Sequence, residues 1–349
     1  MRRTLAKSEL GFSRENWKTF ADLGWLSVPF SADNGGFGGS TIDLMLMHEQ
    51  FGTAMLVEPL IPTLILGGRL IEELGNAEQK ENLLAAVIQG ELQLALAYNE
   101  RVSRNNPSIV ATTAKQDGSD YLLTGEKCVV LNGHAADKLL VTARTAGAVD
   151  SAEGISVFLV DANSAGIERV SYPTVDGLRA ADIKLTNVRV PAANRLGAEG
   201  SALTAIETVL DEATLALCAE AVGAMEVMYK TTVEYSKTRK QFGMPIGKFQ
   251  VLQFRMVDMF IAHEQSKSMI YMAALRALEG RSAAAKAISA AKVQIGKASR
   301  KVGQEAIQLH GGMGMTDELN VGYYFKRVTA FDALFGNVDY HLERYTRVA

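Results

Sequence analysis

Cysteine is nearly absent from this sequence of 349 residues. The two present, Cys128 and Cys218, lie far apart and read as reduced core thiols rather than a bridge, which suits a cytosolic protein. No uninterrupted apolar run reaches the ~20 residues needed to cross a bilayer. The opening MRRTLAKSELGFSRENW lacks the apolar stretch of a secretory leader, so a soluble, cytoplasmic chain is expected. A formal net charge of −3 gives no basic surplus for nucleic acid or an anionic membrane. The five histidines (His48, His134, His263, His310 and His341) lack metal-ligand spacing, and no metal is expected. Gly35-Gly36-Phe37-Gly38-Gly39 follows no strand with a G-x-G-x-x-G pattern, and no P-loop occurs, which removes the common phosphate-binding loops.

What is present divides by pattern into three parts. Residues 1–91 read as a helical domain with glycine-marked breaks. ENWKTFADLG is a short amphipathic piece and SADNGGFGGS a loop. TIDLMLMHEQFGTAM and LIPTLILGGRLIEELG read as helices, the second closed by Gly75. Residues 92–198 read as a β domain. LLTGEKCVVL, KLLVTA, GISVFLVDA and DIKLTNVRV are short and β-branched, and Asp117-Gly118 and Asn132-Gly133 mark turns.

Residues 199–349 turn helical again. Leu203, Ile206, Leu210, Leu217, Ala221, Met225 and Met228 form one apolar stripe, and Leu252, Met256 and Met259 begin a second. SAAAKAISAAKVQIGKASRKVGQEAIQL is a third, alanine-rich helix. Three long helices with short breaks imply an antiparallel bundle, with the methionines as its filler. The expected class is mainly α with a central β domain.

Two polar, glycine-bearing stretches interrupt the bundle. YSKTRKQFGMPIGKFQ places Lys237, Arg239 and Lys240 at a helix end, then a Phe-Gly turn, then Gln250 entering the next helix. Cations there complement the negative end of the helix dipole. AIQLHGGMGM carries Gly311, Gly312 and Gly314, where one glycine would suffice as a cap. A guanidinium binds phosphate through paired, charge-assisted hydrogen bonds, and an amide can both donate and accept. Side-chain-free glycines let a planar or phosphorylated ligand lie against the chain. Together the two stretches suit a dinucleotide held across helix ends.

With VPFSADNGGFGGS and LTNVRVPAANRLG, these stretches make the whole chain resemble an acyl-CoA dehydrogenase. DEATLALCAEAVGAMEVM and YPTVDGLRAADIKL look most like the small subunits of pimeloyl-CoA-type dehydrogenases, and set against that resemblance the family's usual first helix is expected to be missing. The resemblance implies an N-terminal helical domain, a middle β-barrel-like domain and a C-terminal four-helix bundle. It also implies FAD at a subunit interface, an acyl-CoA substrate and an electron-transferring flavoprotein as acceptor. By position Arg239 meets the FAD pyrophosphate, Phe242 and Gln250 shape the neighbouring pocket, and Gln308, Gly311 and Gly312 hold the adenosine half. The implied reaction is α,β-dehydrogenation, in which a carboxylate takes the α-proton and the β-hydride passes to the flavin.

The sequence departs from that family pattern at three points. The base expected before the glycine of the last signature is Phe335, ahead of Gly336. The base position of another branch, on the first bundle helix, is Ala213. Glu212 beside it is rotated by about 100° on a helix, and Asp211 and Glu212 read as solvated or locally paired. AYNERVSRNNPSIV replaces the hydroxyl- and glycine-rich segment near the flavin. In GEKCVVLNG, the Trp and Thr beside the flavin become Val129 and Leu131.

The expectation is one subunit of a heteromeric dehydrogenase, lending its half-site to the FAD of a homologous partner. The catalytic base of this chain stays unassigned. The alternatives are a homo-oligomeric enzyme with a displaced base (Glu212 or Glu220), a flavin-free interaction protein, or a flavin oxidase or monooxygenase on the same scaffold.

Overall fold

A computed structural model describes residues 2–347. The chain divides into two compact units: the part up to Gly39 with Val57–Ala213, and Ser40–Leu56 with the chain from Thr214 onward.

The first unit begins with helices Arg2–Lys7 and Arg14–Asp22. Ser13 caps the second by accepting from the Asn16 N–H at 3.1 Å. Helix Ala77–Ile88 opens with a reciprocal box between Asn76 and Gln79. The sequence predicts one regular helix over LIPTLILGGRLIEELG. The structure instead has a nine-residue π-helix, Ile61–Arg69, followed by a short α-helix, Leu70–Leu74. Two contacts account for it. A Cβ on Gly67 would stand 2.6 Å from the Leu94 side chain, and one on Gly68 would stand 2.5 Å from the Phe30 ring. The buried Thr63 hydroxyl meanwhile bonds Gln93 Oε1 at 3.0 Å and the Leu94 carbonyl at 3.3 Å.

Eight strands form one sheet: β1 Leu94–Ala97, β2 Thr113–Asp117, β3 Asp120–Leu131, β4 Lys138–Arg144, β5 Ile155–Asp161, β6 Ile167–Pro173, β7 Arg179–Pro191 and β8 Arg195–Leu196. Their order is β6-β7-β3-β2-β4-β5-β8, with β1 added parallel to β4. Tyr121, Leu123, Ile183, Leu185 and Phe158 are among the side chains filling its core. The runs read as strands in the sequence fall on β3, β4, β5 and β7. All four residues of β1 are buried, so it shows no alternation to read. The β3–β7 register breaks between Lys127 and Val130, and there Val129 takes φ +52°.

In the second unit, helix Thr41–Ala54 starts at a Ser40–Asp43 capping box. Leu203–Thr238 enters the unit from Thr214, followed by Gln250–Ala277, Arg281–His310, Val321–Ala333 and Val338–Arg347. The single apolar stripe expected on Leu203–Thr238 is only part of its surface. From Ala213 to Met225 every residue except Glu220 is buried, as in a helix surrounded by protein.

Helix Thr41–Ala54 crosses this core helix at two glycines. A Cβ on Gly223 would lie 2.0 Å from the Glu49 carbonyl oxygen, and one on Gly52 would lie 2.1 Å from that of Glu220. Since the obstacle is backbone, no side-chain rotation relieves it. Gly223→Ala is expected to destabilise the chain by about 3 kcal/mol or more, at the upper end of overpacking costs. An unchanged midpoint in urea unfolding would show that the crossing can widen freely.

Helix Gln250–Ala277 has two apolar faces. Met259, Ala262 and Ile270 are buried, whereas Val251, Phe254, Val257, Phe260 and Ile261 lie exposed along the other side. Among the described residues no helix is long and apolar enough to cross a membrane.

Candidate cofactor site

Four of the six sequence-derived cofactor residues meet. Arg239, Gln308, Gly311 and Gly312 line a pocket of 390 Å³ together with Tyr235, Gln241, Ile246 and His310. Arg239 lies just past the C-terminus of helix Leu203–Thr238, its N–H donating to the Tyr235 carbonyl at 2.8 Å. Its guanidinium is exposed and has no ion pair or hydrogen bond among the described residues. Lys237, by contrast, is tied to Glu234 at 2.5 Å.

The glycine turn closes helix Arg281–His310. Gly311, at φ 59° and ψ −138°, adopts a conformation open only to glycine. Gly312 needs no such freedom, and a Cβ there would meet nothing within 4 Å. Neither backbone conformation nor internal packing requires glycine at Gly312, which leaves access by an external group as the physical reason for it.

The wall of this pocket includes two rings. Tyr235 and His310 stack at 4.4 Å and 32°. His310 Nδ1–H donates to the Ala306 carbonyl at 2.7 Å, and burial pushes the imidazole pKa down, so the ring stays neutral. His310 is thus bonded to the backbone at the end of its helix. Tyr235 escaped the sequence reading because a tyrosine inside an amphipathic helix carries no signal of its own.

The other two expected residues stand apart. Phe242 sits at φ 54° between the short paired strands Lys240–Gln241 and Met244–Pro245, is 88% exposed, and meets Phe249 edge-on at 6.1 Å. Gln250 is the exposed first residue of its helix. Neither lines the Arg239 pocket.

At the expected base positions the structure places no poised carboxylate. Phe335 takes φ 56° and Gly336 φ 101°. Buried groups hold this turn: His341 Nε2–H donates to the Phe335 carbonyl at 2.9 Å, and Lys292 Nζ donates to those of Phe331 (2.5 Å) and Leu334 (2.9 Å). Ala213 is fully buried.

Glu212 is paired locally, accepting two bonds from Arg69 at 3.1 and 3.0 Å. Asp211 is buried, which removes the solvated alternative and leaves the locally paired one: its turn of the helix faces protein on most sides. Glu220 is bonded by Arg327 and lies 3.1 Å from His48 Nδ1. Burial works to raise its pKa, but these two neighbours outweigh it and hold the carboxyl below its ordinary range. A useful general base is raised toward neutrality, so the Glu220 environment works against that role.

The substituted segment 97–110 of the β domain is tied down by two buried charged groups. Glu100, 5% exposed, accepts from the Ala111 and Thr112 N–H groups at 2.8 and 3.1 Å and from Lys127 Nζ at 2.7 Å. Buried Arg144 donates to the carbonyls of Ser108 (2.8 Å), Val110 (3.0 Å) and Val149 (2.8 Å). Val129 and Leu131 bring neither an aromatic face nor a side-chain donor.

Three sequence profiles cover nearly the whole chain: the acyl-CoA dehydrogenase N-terminal domain over residues 2–91, the middle domain over 95–188 and the C-terminal domain over 201–349. The chain belongs to the acyl-CoA dehydrogenase family. This is an oxidoreductase family acting on CH–CH bonds, and its three-part fold of helical, β and helical domains is the one expected from the sequence. A probable acyl-CoA dehydrogenase of Bacillus subtilis, YngJ, is 31% identical over 315 residues, covering 89% of this chain and 83% of that protein. The structure of the FAD complex of PigA superimposes with a TM-score of 0.92 at 27% identity, covering 99% of this chain and 91% of PigA. A chain of the ChsE4–ChsE5 complex from Mycobacterium tuberculosis gives 0.89 at 26% identity, covering 99% and 90%.

The residues present fit FAD unequally. A free guanidinium beside an open glycine turn suits a pyrophosphate with a planar group next to it. The β-domain positions lack the stacking ring and hydroxyl that a flavin ring would use.

Proposed function

We propose that the chain is one subunit of an FAD-dependent acyl-CoA dehydrogenase that α,β-dehydrogenates an acyl-CoA thioester, and that it completes the FAD site of a homologous partner. The observation that carries this reading is the Arg239 guanidinium, unpaired among the described residues, beside Gly311 and Gly312, in a chain whose base positions hold Phe335 and Ala213. Arg239 would hold the pyrophosphate by charge-assisted bonds, and Gln308 and the glycine turn would receive the adenosine half. Bound FAD supplies hydride acceptance; the partner supplies the carboxylate and the seat of the flavin ring.

The exposed apolar residues support an assembled state. Val251, Phe254, Val257 and Ile261 follow one face of their helix, and Phe242 and Met244 are exposed on the hairpin before it. Contiguous apolar surface of this kind marks protein contacts. The ChsE4–ChsE5 complex, one chain of which superimposes on this one, supplies a precedent for pairing. In this reading the electron acceptor is an electron-transferring flavoprotein, and the chain works in the cytoplasm.

The visible absorption of the purified chain tests the proposal, alone and co-produced with a homologous dehydrogenase subunit. The chain alone is expected to be colourless, and the complex yellow with fewer FAD molecules than chains. One FAD per chain in the isolated protein would sink the split site.

A further inference from the structure

A second pocket lies in the β domain. It holds 370 Å³, and its walls include Arg101, Val102, Cys128, Val170, Asp182 and Lys184. Its floor is the Lys127–Glu100 pair, which satisfies itself: Lys127 Nζ reaches Glu100 at 2.7 Å and Thr142 Oγ1 at 2.9 Å. Lys184 lies 3.8 Å from Glu168. The group that stands out is the Asp182 carboxylate, on which donors from three separate segments converge. The Val129 N–H reaches Oδ1 at 3.0 Å, the Tyr172 hydroxyl reaches Oδ1 at 2.7 Å, and Arg101 Nη2 reaches Oδ2 at 3.1 Å.

One of these donors is obtained at a backbone cost. Val129 is β-branched and adopts φ +52°, a conformation such residues rarely take. It falls inside the register break of β3 on β7, so its N–H is aimed at the carboxylate and not at a ladder partner. A backbone amide, a phenol and a guanidinium around one oxygen pair make the kind of donor set that binds an oxyanion. Burial, and then the hydrogen bond to Asp182, push the Tyr172 phenol up to about 12.

We propose that Val129 N–H, Tyr172 and Arg101 form an oxyanion nest at this pocket, and that Asp182 fills it as an internal ligand, excluding carboxylate- or carbonyl-edged ligands. This deepens the split-site reading, on which it rests for its functional meaning. The β domain is then closed to a carbonyl-edged ring by an occupied donor set and a fixed negative charge, as well as lacking an aromatic seat. Asp182 is a specificity-determining residue: it decides what the pocket refuses.

The test is chemical rescue of the full chain with acetate. Thermal unfolding is followed for the parent, Asp182→Ala, and Asp182→Ala combined with Tyr172→Phe, over a sodium acetate series with sodium chloride at matched ionic strength. The parent is expected to ignore acetate beyond the salt control. Asp182→Ala should melt several degrees lower and recover saturably with acetate, and the double variant should recover less. If Asp182→Ala does not fold, Asp182→Asn takes its place: it keeps an acceptor for the Val129 N–H without the charge and should fold but melt below the parent. Asp182→Ala that shows no acetate recovery beyond the salt control would overturn the proposal whatever its melting temperature, as would Asp182→Asn that melts like the parent. FAD stoichiometry of the parent chain is measured separately. One FAD per isolated chain with acetate rescue intact would remove the split site and leave the nest standing.

Discussion

Replacing Arg239 by alanine is expected to leave the chain's stability unchanged within about 0.5 kcal/mol, the usual range for surface substitutions, while weakening FAD retention in the assembled enzyme. The two halves of this result come from one observation. The guanidinium is exposed and bonded to nothing among the described residues, so removing it breaks no internal contact. Hydrogen bonds to charged groups contribute about 1.5–3 kcal/mol, so losing a guanidinium–pyrophosphate contact should raise the FAD dissociation constant about 10- to 100-fold. Arg239→Lys restores the charge but not the planar fork, and should recover only part of the affinity. Titration of the apo-complex with FAD reads the affinity, and urea unfolding of the isolated chain reads the stability. Unchanged affinity would mean that Arg239 only complements the end of helix Leu203–Thr238, and would return the site to an ordinary helix cap.

Much of this site could be read from the sequence because its residues cluster in two short stretches. Arg239, Gln308, Gly311 and Gly312 are polar or glycine positions interrupting a helical bundle, where packing alone gives no reason for them. Phe242 and Gln250 share a stretch with Arg239, and the hairpin turn sets Phe242 outside the pocket that Arg239 lines. Sequence proximity could not show that. The Asp182 nest was illegible for the opposite reason. Its members come from a turn, a bulge and two strands, and DIKLTNVRV alone presents Asp182 as an ordinary strand residue.

The fold divides the same way. Strands β3, β4, β5 and β7 announce themselves by β-branched residues, whereas β1 is short and fully buried and β8 has two residues. The π-helix depends on Gly67 meeting Leu94 and Gly68 meeting Phe30, contacts that exist only after folding. At Phe335 the sequence shows that a carboxylate is missing. It does not show that the turn around the aromatic is built from buried polar groups.

That turn should make the chain acid-sensitive through His341. The imidazole is 1% exposed, donates from Nε2 to the Phe335 carbonyl, and has Nδ1 3.3 Å from Ser289 Oγ. Arg344, on the same helix, donates to that Ser289 oxygen at 3.3 Å, and Lys292 approaches from helix Arg281–His310. Burial first, then these two cations, push the pKa from its ordinary 6.5 down to about 3, against the contrary pull of the Phe335 carbonyl.

The sign follows from proton counting. Between about pH 6.5 and 3 the unfolded histidine binds a proton that the folded one refuses, so stability falls as the pH falls through this window. Fully developed near pH 3, the loss is on the order of 4–5 kcal/mol, a large fraction of a typical domain's stability. His341→Gln offers an amide in place of the ring and has no proton to take up. Its stability should therefore fall less steeply than the parent's between pH 6.5 and 3, although other buried histidines keep some slope in both. Urea unfolding at intervals across that range measures the difference directly. Parallel curves for the two proteins would mean that His341 is protonated within the fold without cost. The Phe335–Gly336 turn would then not depend on a neutral imidazole.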